Sequence, residues 1–207
     1  MAIRSLSSAV FLLFGLLVAG CATTTPIVSE WRNPSYTSTS FTSIMLGTLG
    51  GDAGTRRIFE DEFIVKLRSA GIDGVASYRD ISEVGAVDEG RIRDAARKAG
   101  ADALILARLV KVEEKVEYSG PYFPWTWLGV YGSHGGVSMG GLGGTPSASR
   151  YNEYTTETSL LDVAKNEVIW TATTIARQTA TGENAIKSTV EAVVKALAEN
   201  NLLGRQQ

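Results

Sequence analysis

The stretch "RYNEYTTETSLLDVAKNEVIWTATTIARQT", Arg150 to Thr179, decides the fold. Its two arms, "RYNEYTTETSLLDV" and "EVIWTATTIARQT", are rich in the β-branched and aromatic residues that fit a pleated, half-buried surface. Between them, "AKNE" has the composition of a tight turn, with Asn166 able to take positive φ. Two strands so joined pair antiparallel. Ahead of them lies the longest strand candidate, "ADALILARLVKVEEKVEYS", Ala101 to Ser119. Leu104 to Leu106 read as buried on both faces. From Lys111 to Tyr118 the pattern alternates, with Val112, Val116 and Tyr118 on one side and Lys111, Glu113, Lys115 and Glu117 on the other. These three strands predict an antiparallel meander.

Working outward, helical periodicity takes over. In "TRRIFEDEFIVKLRSAG", Phe59, Phe63, Leu67 and Ala70 form one apolar stripe flanked by Ile58 and Ile64, and Gly71 suits the residue after the helix. "VDEGRIRDAARKAG" predicts a second helix with Ile92, Ala95, Ala96 and Ala99 inward and Gly100 ending it. Ile186, Val190, Val193 and Leu197 mark a third. "FTSIMLGTL" (Phe41 to Leu49) and "GVASY" (Gly74 to Tyr78) are strands placed before and between the helices. The order β-α-β-α-β-β-β-α predicts an α+β fold: a single mixed sheet with an antiparallel C-terminal meander and helices packed on one face.

The N-terminus reads as a targeting signal. Arg4 supplies a positive end, and "AVFLLFGLLV" (Ala9 to Val18) is an apolar run too short to span a bilayer. Small residues then lead to the only cysteine, in Val18-Ala19-Gly20-Cys21, which resembles a bacterial lipobox. That implies cleavage before Cys21 and acylation there, an anchor of several chains that holds a protein at a membrane stably. Ala22 favours the outer membrane over the inner. The expected organisation is a signal peptide over 1–20, a lipidated tether over 21–40, and one α/β periplasmic domain over 41–203 with a glycine and aromatic insertion at 119–149. Trp31 and Tyr36, in "EWRNPSY", are unusual for a pure tether and predict that it docks on the domain.

Composition excludes several classes. A formal net charge of −2 gives no electrostatic case for nucleic acid. With Cys21 acylated and one histidine, His134, no Cys/His metal cluster can be assembled, and the glycine-rich stretch around His134 is a poor platform for the base of a Ser-His-Asp triad. No carboxylate pair stands out for acid–base work. No catalytic residue, metal or cofactor is expected.

Two loops remain. "GTLGGDAGTRR", Gly47 to Arg57, joins a strand to a helix. It reads as a tight turn followed by surface arginines, or as an anion or ligand site built from Gly50, Gly51, Arg56 and Arg57 at a helix N-terminus. It lacks the Gly-Lys-Ser/Thr of a phosphate-binding loop, and its glycine spacing does not fit the dinucleotide fingerprint. The second loop, "GPYFPWTWLGVYGSHGGVSMGGLGGTPSA" (Gly120 to Ala148), is far longer than a meander needs. Exposed aromatics are costly unless something covers them. Three uses are open for Tyr122, Phe123, Trp125, Trp127 and Tyr131: padding the domain itself, engaging a protein or glycan partner, or entering a membrane surface.

The blocks "WRNPSY", "RRIFEDEFIVKLRSAGI", "AGADALILARLVKVEEK" and "ETSLLDVAKNEVIWTATT" resemble an uncharacterised family of proteobacterial lipoproteins with a variable Gly/Pro/Tyr-rich insertion. More remotely, "AGADALILARL" and "LLDVAKNEVIW" resemble the curli secretion channel family and the lipoprotein activators of penicillin-binding proteins. The resemblance implies a small periplasmic domain that works by protein contact, and it carries over no catalytic residue. The matched membrane hairpins of the curli channel are not evident in this sequence. The expectation is a non-enzymatic outer-membrane lipoprotein that faces the periplasm. Its partners would be the membrane, through Cys21, and an envelope protein, through the aromatic loop, with self-association into a channel-like ring as the alternative.

Overall fold

The computed structural model describes residues 25–37, 40–81, 87–119, 147–178 and 182–204. One six-stranded mixed sheet organises them. Its strands are β1 (Ile27–Arg32), β2 (Ser43–Leu49), β3 (Asp73–Ala76), β4 (Ala103–Ser119), β5 (Ser147–Asp162) and β6 (Glu167–Gln178), in the spatial order β1-β6-β5-β4-β2-β3. Three helices accompany it: α1 (Ala53–Ser69), α2 (Glu89–Ala99) and α3 (Gly182–Glu199). β4, β5 and β6 form the expected antiparallel meander, and β2 joins β4 and β3 in parallel. The Lys165–Asn166 turn closes β5 on β6 with Asn166 at φ 55°. Asp162 fixes this turn by accepting from the Lys165 amide at 2.9 Å.

The segment read as a tether carries a sixth strand. β1 pairs antiparallel with β6, from Ile27 opposite Thr174 to Arg32 opposite Trp170. Docking of this segment was expected from its aromatics, and the contacts show its cause. The fully buried Trp170 needs a partner for its indole N–H, and Glu30 on β1 accepts it at 2.7 Å. Tyr36 is buried and its hydroxyl donates to Asp162 at 2.7 Å. Trp31 itself remains half exposed.

The helices occupy both faces rather than the one expected. Phe59, Phe63 and Leu67 of α1 and Val190, Val193 and Leu197 of α3 pack with Ile44, Leu46, Ala103, Ile105 and Leu160 on the first face. Ile92 and Ala96 of α2 pack with Met45, Leu104, Leu106 and Leu161 on the second. The strand period of two explains the division: the unbroken run "ALIL" in β4 is apolar toward both sides, so both must be covered. Gly47 permits the approach of α2, because a Cβ there would lie 2.5 Å from Ile92 Cγ2. Each of the first two helices begins at an aspartate cap. Asp52 accepts from the Thr55 amide and Asp88 from the Arg91 amide. Gly100 ends α2 in the left-handed region at φ 71°.

Chain direction gives the domain two unlike poles. β2, β4 and β6 run toward one of them, β1 and β5 start from it, and α1, α2 and α3 all begin there. The opposite pole carries the close β5–β6 turn and the Phe41–Leu203 bridge.

Candidate functional site

Among the described residues, the overhanging β4–β5 ribbon, the Gly50–Gly51 turn and a cavity lie at the pole where the helices begin. β4 and β5 outrun their neighbours. β2 last pairs at Leu49 opposite Arg108, and β6 last pairs at Gln178 opposite Asn152, yet β4 and β5 stay paired to Ser119 opposite Ser147. At the rise of an extended strand, this ribbon projects about 17 Å past β6.

The two faces of the ribbon differ. One bears Lys111, Glu113, Lys115 and Glu117, with Lys111 and Lys115 reaching Glu113 at 2.8 and 3.4 Å. Lys111, seconded by Lys115, holds the Glu113 carboxyl below its ordinary range. Glu113 faces Glu153 across the ladder, and Arg177 relieves that like-charge pair by reaching Glu153 at 3.3 Å. The other face carries Val112, Glu114, Val116 and Tyr118; Glu114 pairs with Arg150 of β5 at 3.2 Å, while Val112, Val116 and Tyr118 are 51%, 46% and 75% exposed. A bulge at Val110 sets which way they point. Leu109 lies opposite Thr156 and Val112 opposite Tyr154, so the extra residue turns Val112 onto the Leu109 side. A track of Leu109, Val112, Val116 and Tyr118 therefore runs out along this face, interrupted by the Glu114–Arg150 pair. The sequence showed the alternation but not the bulge that aims it.

The track starts in a cavity of about 490 Å³ between the first turns of α1 and α3 and the sheet below them. Its walls include Phe59 and Ile58 from α1, Ala185, Ile186 and Thr189 from α3, and Ala107, Leu109, Thr156 and Ala176 from the sheet. Small side chains make the space. Where the core further along is filled by Ile105, Leu160 and Trp170, these rows hold alanine and threonine. Tyr154 and Gln178, joined by a hydrogen bond between their side chains, stand among the walls. Beside the cavity the Thr48 hydroxyl, one of its lining groups, has no hydrogen-bond partner among the described residues.

The glycine loop borders the same space but does not assemble as an anion site. Gly50 and Gly51 sit at φ 82° and 76°, a turn that residues with a Cβ enter only with strain, and both line the cavity. Asp52 then occupies the helix N-terminus with its own charge. The Thr55 hydroxyl and the Thr55 amide hold its carboxyl below the usual range. Arg56 and Arg57 turn away from the cavity. Arg57 lies over the Tyr78 ring at 5.6 Å. Arg56 is buried along α1, its Nε and Nη2 without hydrogen-bond partners among the described residues, close enough to Glu60 to act on its charge. Glu60 is fully buried and accepts from the Ser77 hydroxyl at 2.9 Å and from the Tyr78 amide at 3.2 Å. Burial pushes its carboxyl up, against the opposing effects of Ser77, Tyr78 and Arg56.

A second hollow, of about 210 Å³, lies on the α2 face among Glu89, Arg93, Arg108 and Glu157. Glu89 there bridges Arg93 and Arg108 at 2.5 and 3.3 Å. Cys21, Tyr122, Phe123, Trp125, Trp127, Tyr131 and His134 lie outside the described residues. Their attachment points do not. The aromatic insertion leaves and rejoins the ribbon at Ser119 and Ser147, and the chain from Cys21 arrives at Thr25, which is buried and bonded to Ser188 of α3 at 2.6 Å. Among the described residues no helix is long and apolar enough to cross a membrane, and no three His, Cys, Asp or Glu side chains stand together as metal ligands.

No family model matches the chain, and no curated protein matches it. Solved structures are similar to it at low identity. A PelC dodecamer from Paraburkholderia phytofirmans is 16% identical at a TM-score of 0.45, covering 88% of this chain and 100% of that one. Lipoprotein GNA1162 from Neisseria meningitidis is 14% identical at 0.42, over 76% of this chain and 99% of that one. A minor lipoprotein from Acinetobacter baumannii is 10% identical at 0.40, over 79% and 97%.

Proposed function

We propose that this chain is a lipid-anchored envelope protein that works by contact rather than catalysis. Its ribbon and the insertion at the ribbon tip would engage a protein partner close to the membrane. The observation that supports this reading is convergence at one pole. Thr25, four residues after the acylation site read at Cys21, lies at the same end of the sheet as the exposed Val112, Val116 and Tyr118 of the ribbon. A strand pair that leaves its sheet with valines and a tyrosine uncovered is poorly suited to water and well suited to a partner. Anchorage at that pole would hold the ribbon and its aromatic insertion beside the membrane, with the opposite pole directed into the periplasm.

The test removes the contact surface and keeps the fold. Val112→Thr/Val116→Thr/Tyr118→Thr retains strand-forming residues while erasing the track. The triple variant and a deletion of residues 120–146 would each be crosslinked in intact cells and purified through a tag at the other pole. The reading expects the loss of a specific envelope protein from both preparations. An unchanged set of captured proteins from two folded variants contradicts it. Conversion of a ladder of self-adducts into monomer would replace the foreign partner by a second copy of this chain.

A further inference from the structure

We propose that the cavity between α1 and α3 houses one acyl chain of the lipid on Cys21, drawn back into the domain that the lipid anchors. The inference deepens the function proposed above and rests on acylation at that cysteine. Three features carry it.

The first is the chemistry of the walls. About 490 Å³ falls within the range of sites that take small organic ligands. None of the residues that line this space carries a charge. Phe59, Ala107, Leu109 and Ile186 give it an apolar interior, and its few polar groups are hydroxyl and amide functions. Walls of this kind select hydrocarbon over phosphate, uronate or nucleotide, each of which would bring a charge that no lining group could balance.

The second is reach. Thr25 is held against α3 through its bond to Ser188, and the Ser188 hydroxyl donates to the Ala185 carbonyl of the same turn at 3.1 Å. Ala185 and Thr189 are cavity walls. Three residues separate Cys21 from Thr25, so at full extension the Cys21 Cα lies no more than about 14 Å from the Thr25 Cα. The carboxyl end of β6, including Gln178 in the cavity wall, lies at the pole from which β1 starts, so Thr25 and this wall of the cavity lie at the same end of the sheet.

The third is continuity. Leu109 on the cavity floor and Val112, the next residue of β4 on that face, continue the apolar lining to the base of the ribbon, as far as the Glu114–Arg150 pair. An acyl chain gains nothing by leaving hydrocarbon for protein. The gain is at the cavity, whose apolar walls lose their contact with water.

Thiol protection tests this in the full-length protein in its own membranes. Acylation leaves the chain with no free thiol, so a cysteine placed in the cavity is the only reactive one. Leu109→Cys on the sheet and Ile186→Cys on α3 sample opposite walls at partly exposed positions. Each would be made with Cys21 intact and with Cys21→Ala, and the rate of modification by a small maleimide compared. The proposal expects both introduced thiols to react slowly in the acylated protein and to speed up when Cys21→Ala removes the lipid. Equal rates overturn it: if both are fast the cavity stands open, and if both are slow something other than the chain's own lipid fills it. The mass of the N-terminal peptide separates the two levels of the argument. An unmodified Cys21 sinks the anchored-protein reading itself, whereas an acylated Cys21 with equal rates sinks only the occupancy of the cavity.

Discussion

Replacement of Glu60 should reveal what a buried carboxylate does beneath α1. Glu60 is fully buried, the equally buried Ser77 hydroxyl and the Tyr78 amide both donate to it, and Arg56 acts on its charge from one helical turn away. Glu60→Ala would orphan the Ser77 hydroxyl, at about 1–3 kcal/mol for a buried group left unsatisfied. It would also orphan the part-buried Tyr78 amide, while Arg56 makes no direct ion pair with Glu60 and feels its charge only weakly. The two orphaned donors share one acceptor and their costs do not simply add, so the expected loss is about 2–4 kcal/mol. Glu60→Gln keeps an acceptor oxygen for Ser77 and Tyr78 and should lose at least about 2 kcal/mol less than the alanine variant. Arg56→Met with Glu60→Gln removes both charges and should fall near the parent, since neutral replacements of buried charges are often tolerated. The pH dependence supplies an independent sign. Burial raises the folded-state carboxyl above its ordinary value, so the folded protein binds the extra proton first. Its contribution to stability therefore grows as pH falls through the folded value and is complete below about 4.3, the unfolded value for Glu. Glu60→Gln should abolish that gain. Urea unfolding at a series of pH values measures both effects. Equal losses for the alanine and glutamine variants, or an unchanged pH slope in the glutamine variant, refute the reasoning.

Further perturbations probe other joints of the fold. Gly47→Ala places a methyl 2.5 Å from Ile92 Cγ2 and should destabilise by about 1–3 kcal/mol through overpacking, read as a lower urea midpoint without a change in slope. Tyr36→Phe removes a 2.7 Å hydrogen bond to the Asp162 carboxylate but keeps the ring over which Lys165 sits at 4.2 Å; a loss of about 1.5–3 kcal/mol is expected by the same assay. Asp102 accepts from the Thr42 hydroxyl at 2.8 Å and from the Thr42 and Ser43 amides at 3.1 Å each, and the Thr42 hydroxyl does most to hold its carboxyl below the ordinary range. A depressed carboxyl contributes stability above its unfolded value and loses it as pH falls through the folded one. Asp102→Asn should therefore flatten the loss of stability below about pH 3.9, and an acid limb as steep as the parent's contradicts the assignment.

How far the sequence carried the fold depended on whether each signal was local. The β5–β6 hairpin was legible because Asn166 and the β-branched arms state their roles within a few residues. The stripe of Phe59, Phe63 and Leu67 was legible for the same reason. Arg56 was read as a surface residue and Glu60 was not singled out, although with Phe63 and Leu67 they follow the same helical stripe; a charge at such a position is assigned to solvent unless its partners are known, and Ser77 and Tyr78 lie on another element. β1 was hidden because its reason is distant. Glu30 serves Trp170, 140 residues away, and nothing within "IVSEWR" announces that. The second helix face was implied by "ALIL", but the assignment of α2 to it needed the parity of β2 and β4 in register. As for the site, Gly50 and Gly51 were found in a tight turn, while Arg56 and Arg57 do not join them. The cavity left a weak trace, the run "TATTIA" in β6, where small residues stand in place of the bulky ones that a core strand would carry. The Val110 bulge left none. Cys21 and the aromatic residues from Tyr122 to Tyr131 rest on the sequence, with the structure fixing the pole at which their flanking segments lie.

The central claim is that this pole meets another envelope protein beside the membrane. The most direct measurement places a photoreactive amino acid at Tyr118, the most exposed residue of the apolar track, in the acylated full-length protein in living cells. The account predicts a discrete adduct with a second envelope protein on irradiation, absent when the photoreactive residue is placed instead at Lys165 on the opposite pole. A pattern that is the same at both positions, or attachment only within the chain itself, contradicts it.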